Sequence, residues 1–521
     1  MSNRETEHIE ILFHQPGHLK GVTKIEEVED YIFTGGEDGR VCIWDSNLNE
    51  EIGCLYAHKF SINDVQKIND EEILITTSND LELKLWSLKD FSLIGSKKAH
   101  ASAIIGGKPW RNYVISASRD HMLKKWKFKD SELVEEKRIK IPGMERFFLC
   151  GDLIIITDQY GLISIRKAED FSKFRNNAIG KKKLIRAIKK ASRYIKDFEN
   201  QDPHTILFSM ARRYGIPSTV CTITGDFFIL GHQFGLVSLW RRDNGKLFET
   251  LFPHSKHITG IEFLENKLIT TSLDSTVVIL DLETTTPTES IKLPSRPLSL
   301  KKSSDGLIIV GLESGEIVTL NHQLEIKSTI PKIIPISGSC VTPDFLAIAF
   351  NNGEIQLFDN INLESVIKKK IHNKTPLSIS YYKNRLITVG EDKQIYFLDK
   401  NLNVIKTIQL SVNPVQPKQA KQYITINSNH VLDLNKDEII KGEISKETKK
   451  ELEDEDFPKH RYQNGDLSIL VNKRSLNETE NNKLLEFYDK EVLESLRKLV
   501  ESSSNTKYSK TTNLTVLRSK N

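Results

Sequence analysis

The residues in this sequence whose types and spacing could support binding chemistry are a run of basic side chains and one pair of histidines. Between residues 171 and 196 the chain carries ten Lys or Arg residues and no Asp or Glu. Such a run suits contact with phosphate groups or acidic side chains, because charge attraction needs only Lys and Arg. His254 and His257 are spaced as two metal ligands could be, but no third ligand accompanies them. We therefore predict no metal site.

The basic run also has a helical pattern. Leu184, Ile185, Ile188, Ala191 and Ile195 recur at helical spacing, which predicts an amphipathic helix with a basic face. Three interpretations stay open: the helix packs on the rest of the protein with its lysines in solvent, it contacts RNA, DNA or an acidic protein, or it contacts an anionic membrane. The absence of Trp makes the membrane the least favoured of the three. The candidate anion or nucleic-acid contacts are Lys181, Lys182, Lys183, Arg186, Lys189, Lys190 and Arg193.

Motifs of the common catalytic and cofactor-binding classes are absent from the sequence. It contains no GxxxxGK[ST] phosphate loop, no HExxH, no GxSxG and no CxxC. The five cysteines lie far apart, and four of them lie in strand-like apolar runs, which favours buried free thiols. The sequence therefore predicts neither an enzyme nor a cofactor.

The composition indicates a globular intracellular protein. The chain has 521 residues, 38% of them hydrophobic and 28% charged, with a formal net charge of +4. Subtracting the ten basic residues of 171–196 leaves a charge of 4 − 10 = −6, so the basic character is local. No signal peptide and no stretch of about 20 apolar residues is present. We expect a cytoplasmic location, with the nucleus as the alternative.

A short pattern recurs about every forty residues. It combines an apolar pair, a small residue, a turn with Asp or Asn beside Gly, and alternating apolar residues, as in Ile32 to Asp45. From the turn at Asp38 the steps are 42, 40, 40, 74, 40, 40, 38 and 40, and the single long step marks an insertion. Each unit predicts four short strands, which cannot bury two apolar faces alone but can pack with neighbours around a ring.

These units resemble the WD-repeat β-propeller family. That family has a structural tetrad of a His before the first strand, a Ser or Thr in the second strand, an Asp in the following turn and a Trp in the third strand. The resemblance implies three full tetrads in this chain: His18, Thr34, Asp38 and Trp44; His58, Thr76, Asp80 and Trp86; and His100, Ser116, Asp120 and Trp126. A buried Asp needs hydrogen-bond donors, and such a chain supplies them.

Later units depart from this pattern. Leu280 and Leu398 replace the Trp in the units of Asp274 and Asp392. The units centred on Tyr160, Phe234, Ser314 and Asn352 lack the Asp, so we expect packing alone to hold them. The predicted fold is all-β, a WD-repeat propeller of nine to eleven four-stranded units. It forms two abutting rings or, alternatively, one ring of seven or eight blades with appended strands, and the strand His8–Phe13 is a candidate for closing a ring.

The expected domain boundaries follow from the repeats and the charge pattern. Residues 1–170 hold blades 1 to 4, residues 171–215 the basic helical insertion, and residues 216–440 blades 5 to 10. Residues 441–521 hold a charged segment, an amphipathic C-terminal helix between about Asn477 and Glu501, and a tail that either frays or forms a strand at Leu514–Leu517.

The resemblance implies a non-catalytic scaffold that binds other proteins or peptides in a multiprotein assembly. The alternative is a propeller associated with RNA or ribonucleoprotein through residues 171–196, and a membrane partner is not expected. In the family, the residue before each turn Asp lies on the face that partners contact. The candidate partner face is therefore Glu37, Asn79, Arg119, Leu273 and Glu391.

Overall fold

The fold consists of β-strands arranged in two compact units. A computed structural model of the chain describes residues 7–177, 218–441, 459–472 and 514–520, with short gaps at 69–71, 130–131, 159–161, 265–266, 283, 360–364, 421, 428 and 464–465, and in addition residues 185 and 187. One unit is Pro16–Lys332, which we call the seven-blade unit. The other combines Met1–Gln15 with Ile333–Asn521, and we call it the four-blade unit.

Eleven four-stranded antiparallel sheets occur among the described residues. We number them as blades, 1 to 7 in the seven-blade unit and 8 to 11 in the four-blade unit. The predicted all-β propeller of many four-stranded sheets is confirmed, and the number of sheets lies at the upper end of the predicted range. No helix in the described part of the chain is long and apolar enough to cross a membrane.

The seven-blade unit consists of blades whose strands follow one another in the sequence. Blade 1 is β2 to β5 (Val22–Val28, Tyr31–Gly36, Val41–Asp45 and Glu51–Leu55), blade 2 is β6 to β9 (Ile62–Lys67, Ile73–Ser78, Glu82–Ser87 and Leu93–Lys98), and blade 3 is β10 to β13 (Ile104–Trp110, Tyr113–Ser118, Met122–Lys129 and Glu132–Lys140). Blade 4 is β14 to β17 (Met144–Cys150, Leu153–Asp158, Ile163–Lys167 and Lys173–Asn177), and blade 5 is β18 to β21 (Ser218–Thr224, Phe227–His232, Val237–Arg241 and Leu247–Leu251). Blade 6 is β22 to β25 (Ile258–Leu264, Lys267–Ser272, Thr276–Asp281 and Thr286–Lys292), and blade 7 is β26 to β29 (Pro297–Lys302, Ile308–Leu312, Ile317–Leu320 and Ile326–Ile330).

The four-blade unit contains one sheet built from both parts of its chain. Blade 8 is β30 to β33 (Ile336–Val341, Phe345–Phe350, Glu354–Asp359 and Ser365–Lys370), and blade 9 is β34 to β37 (Pro376–Tyr382, Arg385–Gly390, Gln394–Leu398 and Val404–Gln409). Blade 10 is β38 to β41 (Gln419–Ala420, Tyr423–Asn427, His430–Asp433 and Glu438–Lys441). Blade 11 consists, in spatial order, of β42 Lys459–Gln463, β43 Asp466–Asn472, β1 Glu7–Phe13 and β44 Leu514–Lys520.

Alternation of apolar and polar residues explains why these segments form strands. In β8 the side chains of Leu83, Leu85 and Trp86 are buried, whereas those of Glu82 and Lys84 are partly exposed. Both faces of a middle strand pack on a neighbouring blade, so β7 is buried along its whole length. Apolar residues on two sheet faces are stable only when other sheets cover them.

The seven-blade unit closes into a ring. An apolar cluster lies at each of the seven contacts between successive blades, including the one between blades 7 and 1. At that last contact, Ile309 and Ile317 pack with Val22 and Trp44, and the Ser299 hydroxyl donates to the Val22 carbonyl at 2.7 Å. Each buried aliphatic side chain contributes about 1.5–3 kcal/mol. Packing of side chains therefore closes this ring without exchange of a strand.

The strand expected to close a ring lies in the other unit. β1 pairs antiparallel with β43 on one side and with β44 on the other, from His8 opposite Asn472 and Ser519 to Phe13 opposite Leu467 and Leu514. It is therefore an inner strand of blade 11. The chain thus passes from β1 in the four-blade unit through the whole seven-blade unit and then returns to the four-blade unit.

The basic insertion begins later than expected. Lys173–Asn177 is β17, the fourth strand of blade 4, and not part of a helix. The pairing of Ile163 with Asn177 and of Ile165 with Arg175 explains this difference, because β16 needs a partner on its outer side. Ile185 and Ala187 have helical backbone and Ala187 is buried. The remainder of the predicted insertion helix and the whole predicted C-terminal helix lie outside the described residues.

Candidate functional site

The predicted tetrads of blades 1 to 3 each form a continuous hydrogen-bonded chain. In blade 1, the Trp44 indole donates to the Thr34 hydroxyl at 2.8 Å, His18 Nε2 lies 2.9 Å from that hydroxyl, and His18 Nδ1 lies 3.2 Å from Asp38. Because the indole only donates, the hydroxyl donates to Nε2 and leaves an Nδ1–H for the carboxylate. The equivalent three distances are 2.9, 2.8 and 2.8 Å in blade 2 and 2.8, 2.7 and 3.0 Å in blade 3.

Each turn aspartate joins two loops. Asp38 also accepts hydrogen bonds from the backbone N–H groups of Leu19, at 2.8 Å, and Arg40, at 3.1 Å. Burial alone would raise the pKa of the Asp38 carboxyl, but the hydrogen bond from His18, together with these N–H groups, holds it below its usual value. The carboxylate therefore fixes the turn before the third strand against the loop that enters the blade.

Blades 6 and 9 keep this arrangement without the tryptophan. His254 contacts Asp274 at 3.1 Å and Thr270 at 2.9 Å, and His372 contacts Asp392 at 2.9 Å and Thr388 at 2.8 Å. Burial opposes ionisation of Asp274, yet His254 and Thr276 lower its pKa to about 2. The histidine and the aspartate thus suffice to fix the turn.

Blade 5 contains a related set that the sequence interpretation missed. His232 lies 3.1 Å from the Ser218 hydroxyl and 2.6 Å from the Ser238 hydroxyl, which accepts the Trp240 indole N–H at 2.7 Å. The expectation that packing alone holds this blade is wrong. Its histidine lies at the end of the second strand and not before the first. Only the spacing of Ser238 and Trp240 could have signalled it.

The candidate partner-face residues occupy equivalent turns, but in two units. The backbone N–H of each donates to a carbonyl in the loop before the first strand, as Glu37 does to Gly21 at 2.9 Å and Arg119 does to Ala103 at 2.9 Å. Glu37, Asn79 and Arg119 are exposed and Leu273 is half-buried. Glu391 makes the same contact with Thr375, but it belongs to the four-blade unit. The candidate partner-face residues therefore come from both units, and their role in binding a partner stays a prediction.

A cluster of charged side chains on the first strands of the seven-blade unit also escaped sequence analysis. Asp64 lies 2.8 Å from Lys108 and 3.5 Å from Lys24, and Glu26 lies 3.2 Å from Lys24 and 2.9 Å from Lys301. Burial would raise the pKa of Glu26, but Lys24, Lys301 and Lys108 lower it to about 2. Each of the three ammonium groups pairs with at least one of the two carboxylates, which favours a structural role.

One serine–histidine pair joins two blades of the four-blade unit. The Ser339 hydroxyl lies 2.6 Å from His460 Nδ1 and 3.3 Å from the Tyr462 hydroxyl. Burial lowers the pKa of His460 to about 4, so the ring is neutral and can accept the serine proton in a hydrogen bond. Within the part of the chain that the structure describes, no carboxylate is hydrogen-bonded to His460. The pair connects blade 8 with blade 11.

The seven candidate anion contacts, Lys181 to Arg193, lie outside the described residues. The structure therefore gives no geometry for them.

Comparison with known proteins agrees with the tetrads. The family model of the WD domain, G-beta repeat, matches residues 9–45 and 49–87. Residues 9–87 of this chain therefore match two consecutive WD40 repeats.

Two curated relatives of this chain are fungal. The chain is 24% identical over 282 residues to eukaryotic translation initiation factor 3 subunit I of Debaryomyces hansenii, covering 51% of this chain and 64% of that relative. It is 30% identical over 82 residues to the same subunit of Eremothecium gossypii, covering 15% of this chain and 24% of that relative. The chain thus spans less than two thirds of the length of either relative.

The chain also has partial similarity to a solved structure. The WD40 β-propeller domain of Doa1 is 17% identical, covers 60% of this chain and 96% of its own, and has a TM-score of 0.44.

Proposed function

We propose that this WD40-repeat protein is a non-catalytic scaffold that binds other proteins or peptides in a multiprotein assembly in the cytoplasm. The observation that carries the proposal is the ring of seven blades, which presents the exposed turns of Glu37, Asn79 and Arg119 from blades fixed by buried tetrads. A face of fixed backbone and varied side chains can bind a partner with little loss of conformational freedom on the scaffold side.

The names of the relatives support an assembly. Two of them are described as subunits of a translation initiation factor, which are by name parts of a larger complex. Exposed apolar groups close to the turns support the same face. Phe60 is 59% exposed, and its neighbour Asn63 donates to the Asn79 side chain at 2.8 Å. An aromatic ring beside polar groups is typical of residues that anchor a protein partner.

Affinity purification with mass spectrometry tests this proposal. We expect the combined change Glu37→Ala, Asn79→Ala and Arg119→Ala to remove the main partners at unchanged expression. The matched control, Lys97→Ala with Lys98→Ala, alters exposed residues of the outer strand β9 and should keep them. Retention of every partner by the triple variant would contradict the proposed face.

The second candidate function is contact with RNA through the basic insertion. Exposed cations on the outer strands of the two preceding blades favour it, namely Lys137 and Lys140 on β13 and Lys173 on β17. Phosphate contacts predict binding that weakens steeply with salt. Filter binding of a structured RNA across a salt series should show this slope, and charge reversal of Lys181, Lys182 and Lys183 should reduce it. A slope unaffected by that reversal would exclude this function for the insertion.

A further inference from the structure

Blade 1 brings together four potential metal-binding atoms on its third and fourth strands and the loop before its first. Cys42 and Cys54 are directly opposite each other in β4 and β5, and their sulfur atoms lie 4.0 Å apart. The Glu51 carboxylate and both sulfurs lie within 4.8 Å of one another. The Gly17 carbonyl lies 3.2 Å from the Cys42 sulfur, and the Gly17 N–H donates to Glu51 at 2.7 Å.

The equivalent position in blade 3 holds a cation. Lys124 precedes Trp126 by two residues, as Cys42 precedes Trp44. Its ammonium donates to the carbonyl of Ala99 at 2.8 Å and pairs with Glu135 at 2.9 Å.

Both partners of that ammonium correspond to groups in blade 1. Ala99 directly precedes the tetrad histidine, as Gly17 does. Glu135 is the register partner of Trp126, as Glu51 is of Trp44. Blade 1 thus keeps the carbonyl and the carboxylate that hold a positive charge in blade 3.

Blade 1 differs from the other blades by its two sulfur atoms. In the other blades of the seven-blade unit, the residue pairs at the position of Cys42 and Cys54 are Lys84 with Ser96, Lys124 with Arg138, Ser164 with Asn176, Ser238 with Thr250, Val278 with Ser290, and Val318 with Thr329. The paired thiols therefore do not belong to the repeat pattern that explains the tetrads.

A second group of possible ligands does belong to that pattern. His58, Asp80 and Glu82 lie within the same distance of one another. However, His58 and Asp80 already bond each other within the tetrad of blade 2, and the same pair recurs in blades 1, 3, 6 and 9. That group has a structural explanation and carries no inference.

We infer that Cys42, Cys54 and Glu51 form a binding site for a zinc-like divalent cation, with the Gly17 carbonyl or a solvent molecule as the fourth ligand. Thiolates favour zinc among the abundant divalent ions. With Zn–S bonds of about 2.3 Å, tetrahedral coordination places two sulfurs about 3.8 Å apart, close to their separation here. Binding releases the two thiol protons to solvent as two metal–sulfur bonds form. Cys54 and Glu51 are half-buried, so the site has access from the surface.

The position of the site at the contact between blades 1 and 7 gives this ion a structural role. Cys42 and Cys54 belong to the apolar contact between blade 1 and blade 7, together with Ile309 and Ile330. This is the contact at which the ring closes without strand exchange. A metal ion bound to β4, β5 and Gly17 would fasten the two outer strands of blade 1 to the loop that enters the ring.

Cobalt titration of the reduced, metal-free full-length chain tests the site. We expect one equivalent of Co²⁺ to give a thiolate-to-cobalt absorption band, and Zn²⁺ to displace it and raise the midpoint of thermal unfolding. Cys54→Ser should weaken Co²⁺ binding by more than about 100-fold, beyond the loss typical of residues that only support a ligand. The control Cys340→Ser, which alters a half-buried cysteine of the four-blade unit, should bind Co²⁺ like the wild-type chain.

A second variant introduces the arrangement of blade 3. Cys42→Lys places an ammonium beside the Gly17 carbonyl and Glu51, so its unfolding midpoint should no longer respond to zinc. Should Cys42→Lys fail to fold, the response of the unfolding midpoint to zinc can be measured in Glu51→Gln, which keeps the shape of the site. The inference is overturned if the wild-type chain gives no thiolate band, or if the band survives undiminished in Cys54→Ser.

Discussion

The two units of this protein complete their sheets in different ways. In the seven-blade unit every blade is a continuous stretch of chain, and side chains alone join blade 7 to blade 1, through the contact of Ser299 with Val22 and that of Lys301 with Glu26. In the four-blade unit, blade 11 depends on backbone pairing of β1 with strands more than 450 residues away in the sequence. The comparison shows that one chain can build a blade either from four consecutive strands or by pairing strands that lie far apart in the sequence.

The largest expected effect comes from deleting residues 1–15. Because β1 lies between β43 and β44, its loss leaves both strands without their partner, whereas blades 1 to 7 keep all their strands. Hydrogen exchange should show protection lost in residues 466–472 and retained in residues 22–251. Equal loss of protection in both units would contradict the independence of the seven-blade ring.

The charged cluster of the seven-blade unit should give the largest effect of a single substitution. Asp64→Asn leaves Lys24 and Lys108 without their shared carboxylate, at a cost of about 3 kcal/mol, near the lower end for broken buried pairs. Glu354→Gln breaks a more exposed pair with Lys368 in the four-blade unit and should cost less than about 1 kcal/mol. Urea unfolding curves measure both values. Equal costs would show that the cluster is no more important than a surface pair.

Acid should weaken blade 6 over a defined range of pH. The folded pKa of Asp274 is about 2, below the usual value of 3.8, so its stabilisation is present above pH 3.8 and is lost as the pH falls towards 2. After allowance for solvent screening, this amounts to about 1 kcal/mol. Asp274→Asn should flatten the dependence of unfolding free energy on pH in this range. An unchanged slope would show that the His254 contact does not control the titration.

The smallest effect on stability is expected at the exposed turns. Glu37→Lys in the seven-blade unit and Glu391→Lys in the four-blade unit should each change the unfolding free energy by less than about 0.5 kcal/mol. Only Glu37→Lys should reduce partner capture, because the proposed face belongs to the seven-blade ring. Loss of partners from Glu391→Lys alone would place the binding face in the four-blade unit instead.

The sequence could predict those site residues that occur at a fixed spacing within each repeat. The residues of each tetrad, such as His58, Thr76 and Trp86, fall at regular offsets within one repeat, so the repeat pattern locates them. His232 of blade 5 breaks the offset and was missed. The charged cluster was missed for another reason: Asp64 and Lys108 lie in different blades, and no local pattern states which charges will pair across a ring.

The sequence pattern also could not predict which of the two units each blade belongs to. Alternation identifies β1 as a strand, but its partners β43 and β44 lie at the other end of the chain. The repeats around Asp38 and Asp392 look alike, although they belong to different units. Local signals determine strands and turns, whereas the allocation of blades depends on contacts between distant segments.

The position of β1 has a consequence for biosynthesis. This strand leaves the ribosome before every other described strand, and the start of β44 follows its last residue by about 500 residues, which corresponds to roughly 25 to 100 s of translation. The seven-blade ring can finish folding during that interval, while the edges of β1 have no native partner. A nascent chain in this state exposes a strand that could pair with a neighbouring copy, so it is a natural target for chaperones during synthesis.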